Sequence, residues 1–223
     1  MTGQSIVLAS GNKGKLAELE LLLAPLGFKL ALQSEFNVPD ADETGLSFIE
    51  NAILKARHAS AITGLAALAD DSGIEVDALQ GQPGIYSARF SRLGANNQNN
   101  DNESSDGMDI NAANNALLLD KLKGIPIKHR TARFRCVLAL MRHAHDPSPL
   151  IAEGSWEGHI LESPAGTGGF GYDPLFFATQ QQCAAAELSP EKKANLSHRG
   201  QAMRRLLDVL DNQQFFSKPD VSV

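Results

Sequence analysis

The sequence has few cysteines and no excess of basic charge. Its two cysteines, Cys136 and Cys183, lie far apart and form no C-x-x-C pair, which argues against a zinc site and against a disulfide framework. The formal net charge of −6 argues against tight binding to DNA or RNA surfaces. No apolar run approaches the length that spans a membrane, and the first residues do not resemble a signal peptide. We therefore expect a cytoplasmic protein with no nucleic-acid or membrane partner.

What is present is typical of one globular domain over residues 1–223, with 43% hydrophobic and 21% charged residues. Hydrophobic periodicity predicts strands and helices in alternation. The predicted strands are 5–10, 28–33, 65–70, 74–79, 131–143, 149–161 and 174–177. The predicted helices are 16–26, 45–63 with Thr44 as its cap, 109–122 and 199–210. The stretch 95–107 is rich in Asn, Asp and Ser, cannot bury apolar surface and predicts a flexible loop.

Two adjacent acids, Asp70 and Asp71, follow the short apolar run "ALA" and precede Ser72 and Gly73. Neighbouring carboxylates at the end of a buried strand repel each other unless positive charge lies beside them. A metal ion is the obvious candidate. Glu43 precedes the second helix, whose Asn51 and Lys55 share one face because they are four residues apart. If that helix packs beside the strand that ends at Asp71, Glu43 can reach the same ion. An oxygen-only site of Glu43 and Asp71 suits Mg²⁺, which retains waters and bridges substrate phosphates.

A possible phosphate site is the segment "SGNKGK", where a predicted strand gives way to a helix and backbone N–H groups collect anions. Its glycines are too close together, and the residue after its last lysine is wrong, for a Walker A loop. On this motif alone, a tight turn with solvated lysines is an equally good interpretation. Its members are Ser10, Gly11, Asn12, Lys13, Gly14 and Lys15.

The segment "GTGGFGYDP" contains G-x-G-x-x-G, but no helix follows it, so we reject dinucleotide binding. Its glycines allow close approach of backbone to a ligand, while Phe170 and Tyr172 can stack on a flat ring and Asp173 can accept a hydrogen bond from it. Taken alone, it is better interpreted as a glycine-rich hairpin. The charged run "EKKANLSHRG" likewise predicts, on its own, a solvated loop before the last helix.

Six segments occur in order: "SGNKGK", "ETGLSFIENAILKA", "ADDSGIEVDAL", "PGIYSARF", "GTGGFGYDPLFF" and "SHRGQA". Together they resemble the noncanonical purine nucleoside triphosphate pyrophosphatases, the inosine triphosphatase or Ham1-like family. The resemblance extends from about Ile6 to Leu210, with the Asn-rich stretch as its main departure. It implies a two-lobed α/β fold around a long mixed sheet, a homodimer, and Mg²⁺-dependent hydrolysis of dITP, ITP and XTP to the monophosphate and pyrophosphate.

The resemblance also implies residue roles. Asp71 would accept the proton of the attacking water, and Glu43 and Asp71 would hold the metal. Substrate contacts would come from residues 10–15 and from Ser72, Phe170, Gly171, Tyr172, Asp173, Lys193, His198 and Arg199. Exclusion of ATP would require a donor such as Arg199 or a loop N–H facing the 6-oxo group of the base, since that donor would face an amino group in adenine.

Three other functions fit parts of the sequence. A related pyrophosphatase acting on modified pyrimidines, as in the Maf-like group, is disfavoured by the "SHRG" and "GGFGYDP" segments. A nucleotide sensor is disfavoured by Asp70 and Asp71, because a plain anion site gains nothing from carboxylates near phosphates. An RNA-binding module is disfavoured by the acidic charge balance.

Overall fold

The computed structural model describes residues 5–10, 29–93 and 110–212. The predictions of a helix at 16–26 and of a flexible loop at 95–107 lie outside these residues. Within them, the fold is α/β, as the sequence predicts.

A mixed sheet of seven strands forms the centre of the described part of the chain, in the order β2-β1-β3-β4-β5-β6-β7. β1 pairs in parallel with β2 and β3, whereas β6 is antiparallel to β5 and β7. The strands are β1 (Ser5–Leu8), β2 (Lys29–Leu32), β3 (Ala66–Val76), β4 (Thr131–Met141), β5 (Leu150–Ile160), β6 (Phe176–Ala178) and β7 (Cys183–Ala184).

Five α-helices lie in the described residues: α1 (Phe48–Thr63), α2 (Phe90–Leu93), α3 (Ile110–Lys121), α4 (Pro190–Leu196) and α5 (His198–Asn212). The described chain divides into two compact units. One contains the residues up to Asp71, the segment Cys136–Gly154 and the residues from Arg199 onward. The other contains Ser72–Arg135 and Ser155–His198. No helix in the described part of the chain is long and apolar enough to cross a membrane.

The first unit has two hydrophobic cores, one on each face of its sheet, because successive side chains of a strand point to opposite faces. Ala66 and Leu68 of β3 belong to a cluster with Met203 and Leu206 of α5, whereas Ala67 and Ala69 belong to a cluster with α1. Successive side chains of a strand point to opposite faces, so a sheet covered by helices on both faces has nearly continuous apolar strands. Residues 66–69 of β3 therefore alternate between the α5 side and the α1 side of the sheet.

The second unit has its own core. Phe134 of β4, Trp156 of β5 and Phe176 of β6 form an aromatic group, with ring centroids of Phe134 and Phe176 4.6 Å apart. The single tryptophan packs, since its exposed fraction is 4%.

Three local predictions are wrong. β3 runs without a break through Asp70–Gly73, whereas the sequence predicted two strands separated by a turn. The cap of α1 is Ser47 and not Thr44, because Ser47 Oγ accepts a hydrogen bond from Glu50 N and the Glu50 carboxylate accepts from Ser47 Oγ. The charged run before the last helix is not a solvated loop, since it includes α4, capped by Ser189 with Pro190 in its first turn.

The turn between β4 and β5 forms around Asp146, as predicted. Its carboxylate is 2% exposed and accepts hydrogen bonds from Arg142 N at 3.0 Å, Arg142 Nε at 2.9 Å and Ser148 N at 3.0 Å. The Arg142 guanidinium, followed by the backbone N–H donors, holds the pKa of Asp146 well below its ordinary value. A carboxylate of this kind stabilises the fold only while it is ionised.

We expect Asp146→Asn to lower the free energy of unfolding at pH 7 by about 1–3 kcal/mol, because charged hydrogen bonds are replaced by weaker ones. The stabilisation is present above the unfolded-state pKa of about 3.9 and is lost as the pH falls towards the folded-state pKa. Urea unfolding from pH 7 to pH 3 should show the wild-type advantage shrinking below about pH 4. Asp120→Asn on exposed α3 is the control. A difference that stays constant with pH would contradict this account.

Candidate functional site

The two adjacent acids of β3 lie on opposite faces of the sheet, because they are neighbours in one continuous strand. Asp70 is 1% exposed and lies on the α5 side, and Asp71 is 5% exposed and lies on the α1 side. A separate cation on each face of the sheet therefore compensates the negative charge of each carboxylate.

Asp70 pairs with Arg199, the second residue of α5. Nε and Nη2 of Arg199 both lie 3.3 Å from Asp70 Oδ2, and Arg199 is 2% exposed. Truncating one partner of such a buried pair leaves an uncompensated charge. The interaction fixes the start of α5 beside the strand that carries Asp71.

Asp71 belongs to an acid–lysine cluster, which we define as Glu43, Lys55 and Asp71. Lys55 Nζ donates to Asp71 Oδ1 at 2.8 Å and to Glu43 Oε1 at 3.0 Å. Burial lowers the pKa of Lys55, but the negative charges of Asp71, Asp70 and Glu43 outweigh burial and raise it above its ordinary value. Lys55 is therefore a fixed cation shared by both predicted metal ligands.

A buried amide orients this cluster. Asn51 is 0% exposed; its Oδ1 accepts from Gly45 N at 2.9 Å, and its Nδ2 lies 3.4 Å from Asp71 Oδ2. The loop that carries Glu43 is thereby joined to α1, which also contributes Lys55. A Cβ at Gly45 would lie 2.7 Å from Asn51 Oδ1, so the close approach requires glycine.

The sequence pattern placed Asn51 and Lys55 on one helix face but assigned neither to the site. Their four-residue spacing correctly indicates that both side chains lie on one face of α1. The spacing does not indicate that this face contacts β3, because that contact depends on packing between residues far apart in sequence.

The acid–lysine cluster fits the donor chemistry of Mg²⁺. Glu43 and Asp71 contribute only oxygen ligands, and both carboxylates already converge on one cation, the Lys55 ammonium. Mg²⁺ is bound in many phosphate-handling sites by one or two carboxylates, with water and substrate oxygens completing the octahedron. In the described residues no group of three or more His, Cys, Asp or Glu side chains is suited to a metal.

The glycine-rich loop, residues 166–174, belongs to the second unit and is held by a buried ion pair of its own. Asp173 Oδ2 accepts from Lys193 Nζ at 2.6 Å and from Phe170 N at 2.8 Å, and the Lys193 ammonium lies 4.7 Å from the Phe170 ring centroid. Asp173 is 2% exposed. The structure thus brings together three predicted substrate contacts, Phe170, Asp173 and Lys193, and gives the Asp173 carboxylate a role in shaping the loop.

Other predicted site residues have different surroundings. Tyr172 is buried in the core of the second unit, and its hydroxyl donates to Ser87 O at 2.9 Å. His198 is 4% exposed and its ring stacks on Phe134 at 4.8 Å. Ser10 follows β1, and Ser72 follows Asp71 within β3. The predicted phosphate-binding residues Gly11, Asn12, Lys13, Gly14 and Lys15 lie outside the described residues.

The fold and the site define an α/β protein with an acid–lysine cluster at a parallel strand and a glycine-rich, aromatic loop. The model of the Ham1 family matches residues 6–209. The chain belongs to the Ham1 family.

Individual relatives cover nearly the whole chain. A protein of Vibrio cholerae serotype O1 named dITP/XTP pyrophosphatase is 52% identical over 211 residues, which are 95% of this chain and 98% of that protein. A protein of Shigella flexneri with the same name is 53% identical over 209 residues, covering 94% and 99%. Among solved structures, a HAM1 protein from Coxiella burnetii has a TM-score of 0.81 and 45% identity, covering 95% of this chain and all of that one.

We expect Lys55→Met to lower the free energy of unfolding at pH 7 by about 3–5 kcal/mol, because the buried carboxylate of Asp71 loses the cation that it shares with the half-buried Glu43. Lys123→Met, at an exposed position, is the matched control and should change it by less than about 0.5 kcal/mol. Chemical denaturation measures both. Equal stability of the two variants would show that Lys55 does not compensate the charge of Asp71.

Proposed function

We propose that the protein hydrolyses the noncanonical purine nucleotides dITP, ITP and XTP to the monophosphate and pyrophosphate, with Mg²⁺. The observation that carries the proposal is the acid–lysine cluster, in which the buried carboxylate of Asp71 and the half-buried carboxylate of Glu43 converge on one cation. The names of the Vibrio cholerae and Shigella flexneri relatives support the substrate class. Removal of these nucleotides would keep them out of DNA and RNA.

Asp71 is the proposed proton acceptor. One of its oxygens accepts from Lys55 and the other lies near Asn51 Nδ2, so the carboxylate is held in one orientation. An ionised carboxylate is a hydrogen-bond acceptor, which suits it to take the proton of a water. As water adds to phosphorus, its proton passes to Asp71; the bond between the α-phosphorus and the bridging oxygen breaks, and pyrophosphate leaves.

Cations complete the proposed chemistry. Glu43 and Asp71 would hold Mg²⁺, which when bound neutralises phosphate oxygens and stabilises charge on the leaving group. Lys13 and Lys15 are proposed to bind the triphosphate, and Lys193 to add positive charge near it, as the family resemblance implies. Lys55 keeps the two carboxylates from repelling each other when Mg²⁺ is absent.

Base selection is proposed to come from the glycine-rich loop together with Ser72, His198 and Arg199. Phe170 offers a flat face. Lys193 Nζ lies over its ring and Asp173 accepts a hydrogen bond from its backbone N, so the position of Phe170 is fixed. A hydrogen-bond donor towards the 6-oxo group would disfavour adenine by roughly 1–3 kcal/mol per unpaired group. A homodimer is also implied by the family resemblance, and size-exclusion chromatography with light scattering tests it.

The function is tested by pyrophosphate release from dITP, XTP, ATP and dTTP in parallel, with and without Mg²⁺, with identification of the nucleotide product. We expect Mg²⁺-dependent formation of monophosphate and pyrophosphate from dITP and XTP, and little from ATP or dTTP. Release of orthophosphate with a diphosphate product, or activity only on pyrimidines, would reject the proposal. Mg²⁺-dependent binding without any product would favour a sensor.

Asp71→Asn tests the proton acceptor. We expect kcat for dITP to fall at least about 100-fold, because the amide cannot accept the proton of water, while the thermal unfolding curve remains cooperative. Asp120→Asn on the exposed face of α3 is the matched control and should retain wild-type kcat. Near-normal turnover by Asp71→Asn, with unchanged Mg²⁺ dependence, would mean that another group accepts the proton.

A further inference from the structure

The segment Pro83–Phe90 resembles a family motif, yet the proposed chemistry assigns it no task. It forms a 3₁₀ turn over Gly84–Arg89. Ser87, 7% exposed, lies at its centre: Ser87 Oγ accepts from Ile74 N at 2.9 Å and donates to Gly84 O at 2.6 Å. The side chain of Ser87 therefore fastens the turn to β3 three residues beyond Asp71.

The backbone of the same turn holds the glycine-rich loop. Ser87 O accepts from the Tyr172 hydroxyl at 2.9 Å, across 85 residues of sequence. The Tyr172 ring is 5% exposed, and burial raises its pKa, so the hydroxyl stays protonated and remains a donor. Tyr172 thus links the loop to a turn that is itself tied to β3.

Helix α3 provides a second attachment through two adjacent asparagines. Asn114 joins α3 to the turn, because its Oδ1 accepts from Ser91 N at 2.8 Å and its Nδ2 donates to Ala88 O at 3.2 Å. Asn115 joins α3 to the loop, because its Nδ2 donates to Gly171 O at 3.0 Å. The turn, α3 and the loop form one hydrogen-bonded assembly.

The loop needs such attachments because of its composition. Gly169 and Gly171 have φ values of +72° and +62°, in the left-handed region that glycine adopts readily. Glycine also has the greatest backbone conformational freedom, so other contacts must hold these residues in one conformation. Asp173 closes the loop internally through Phe170 N. The hydrogen bonds of Tyr172 and Asn115 join Gly171 and its neighbour to the Gly84–Arg89 turn and to α3. They add to the ion pair of Asp173 with Lys193 and to the backbone hydrogen bonds that Gly168 and Asp173 make with Ala186.

We propose that Asn115 and the Tyr172 hydroxyl are positioning groups for base selection: they hold the Phe170–Asp173 loop against α3 and the Gly84–Arg89 turn. The inference rests on the proposed function, since it assumes that this loop contacts the base. Neither group needs to touch substrate. A loop that is ordered before binding loses less conformational entropy when the correct base docks, and it discriminates between bases because its donors cannot adjust to the wrong one.

Removing either hydrogen bond should weaken recognition without blocking chemistry. We expect Tyr172→Phe and Asn115→Ala each to raise KM for dITP about threefold to tenfold, in line with the loss of one hydrogen bond, and to change KM by a larger factor than kcat. KM for dATP, measured at high enzyme concentration, should change little. The preference for dITP over dATP should therefore fall by about the same factor.

The chain offers a matched control, because its two tyrosines are Tyr172 and Tyr86. Tyr86 belongs to the same turn but is 38% exposed, so Tyr86→Phe makes the same chemical change outside the loop contact. Steady-state kinetics with dITP and dATP should be combined with hydrogen–deuterium exchange of the Gly168–Asp173 amides and with thermal unfolding. The amide exchange rate measures how well the loop is held in place, and this measurement does not depend on turnover.

The proposal expects faster amide exchange in the loop and a selective rise in KM for dITP in Tyr172→Phe and Asn115→Ala, with Tyr86→Phe like the wild type. Unchanged selectivity in both variants would overturn it, as would a fall in kcat for both substrates in proportion to lost thermal stability. A wild-type enzyme inactive on dITP would instead overturn the proposed function, and the exchange data would still show whether the loop is fastened as described.

Discussion

Buried negative charge at the middle of β3 is the constraint on which the rest of this structure depends. Asp70 and Asp71 occupy adjacent positions of one strand, so their carboxylates enter opposite faces of the sheet, each almost fully buried. A buried carboxylate without a partner is too costly to keep ionised. Arg199 of α5 on one face and Lys55 of α1 on the other provide the two partners. The helices that cover the sheet are thus also the source of its neutralising charge.

The same constraint explains how the site is assembled. Lys55 carries one positive charge but contacts two carboxylates, which brings the loop residue Glu43 beside Asp71. The capping box of Ser47 and Glu50 begins α1 directly after that loop, and Asn51 joins Gly45 to the same helix. The start of α1, the approach of Glu43 and the orientation of Asp71 are therefore parts of one arrangement. Local capping and charge compensation together produce a pair of oxygen ligands suited to a divalent cation.

Much of the fold follows from the sequence because its periodicity is local. The sequence correctly predicts the strand at 131–143 and the last helix, which carries Met203, Leu206 and Leu210. Both elements form because their apolar side chains are spaced so that one face is buried in the core. The wrong predictions of secondary structure occur where a contact with a residue far away in the sequence determines the local conformation. Two adjacent acids favour a turn until Arg199 and Lys55 are known to lie beside them, and the run 190–196 looks solvated until Asp173 is seen to bind Lys193. In the site, the sequence predicts Glu43 and Asp71 as ligands of one ion. The structure shows both carboxylates contacting Lys55, whose position between them depends on long-range packing.

The central claim is that Glu43 and Asp71 form the cation-binding site at which a noncanonical purine nucleotide is cleaved. Its most direct test is a crystal structure of the protein with Mg²⁺ and a nonhydrolysable dITP analogue. The account predicts electron density for a cation contacting the carboxylates of Glu43 and Asp71 and bridging to the triphosphate, with hypoxanthine against Phe170. A triphosphate bound with no cation at these two carboxylates, or a base bound away from the glycine-rich loop, would contradict it.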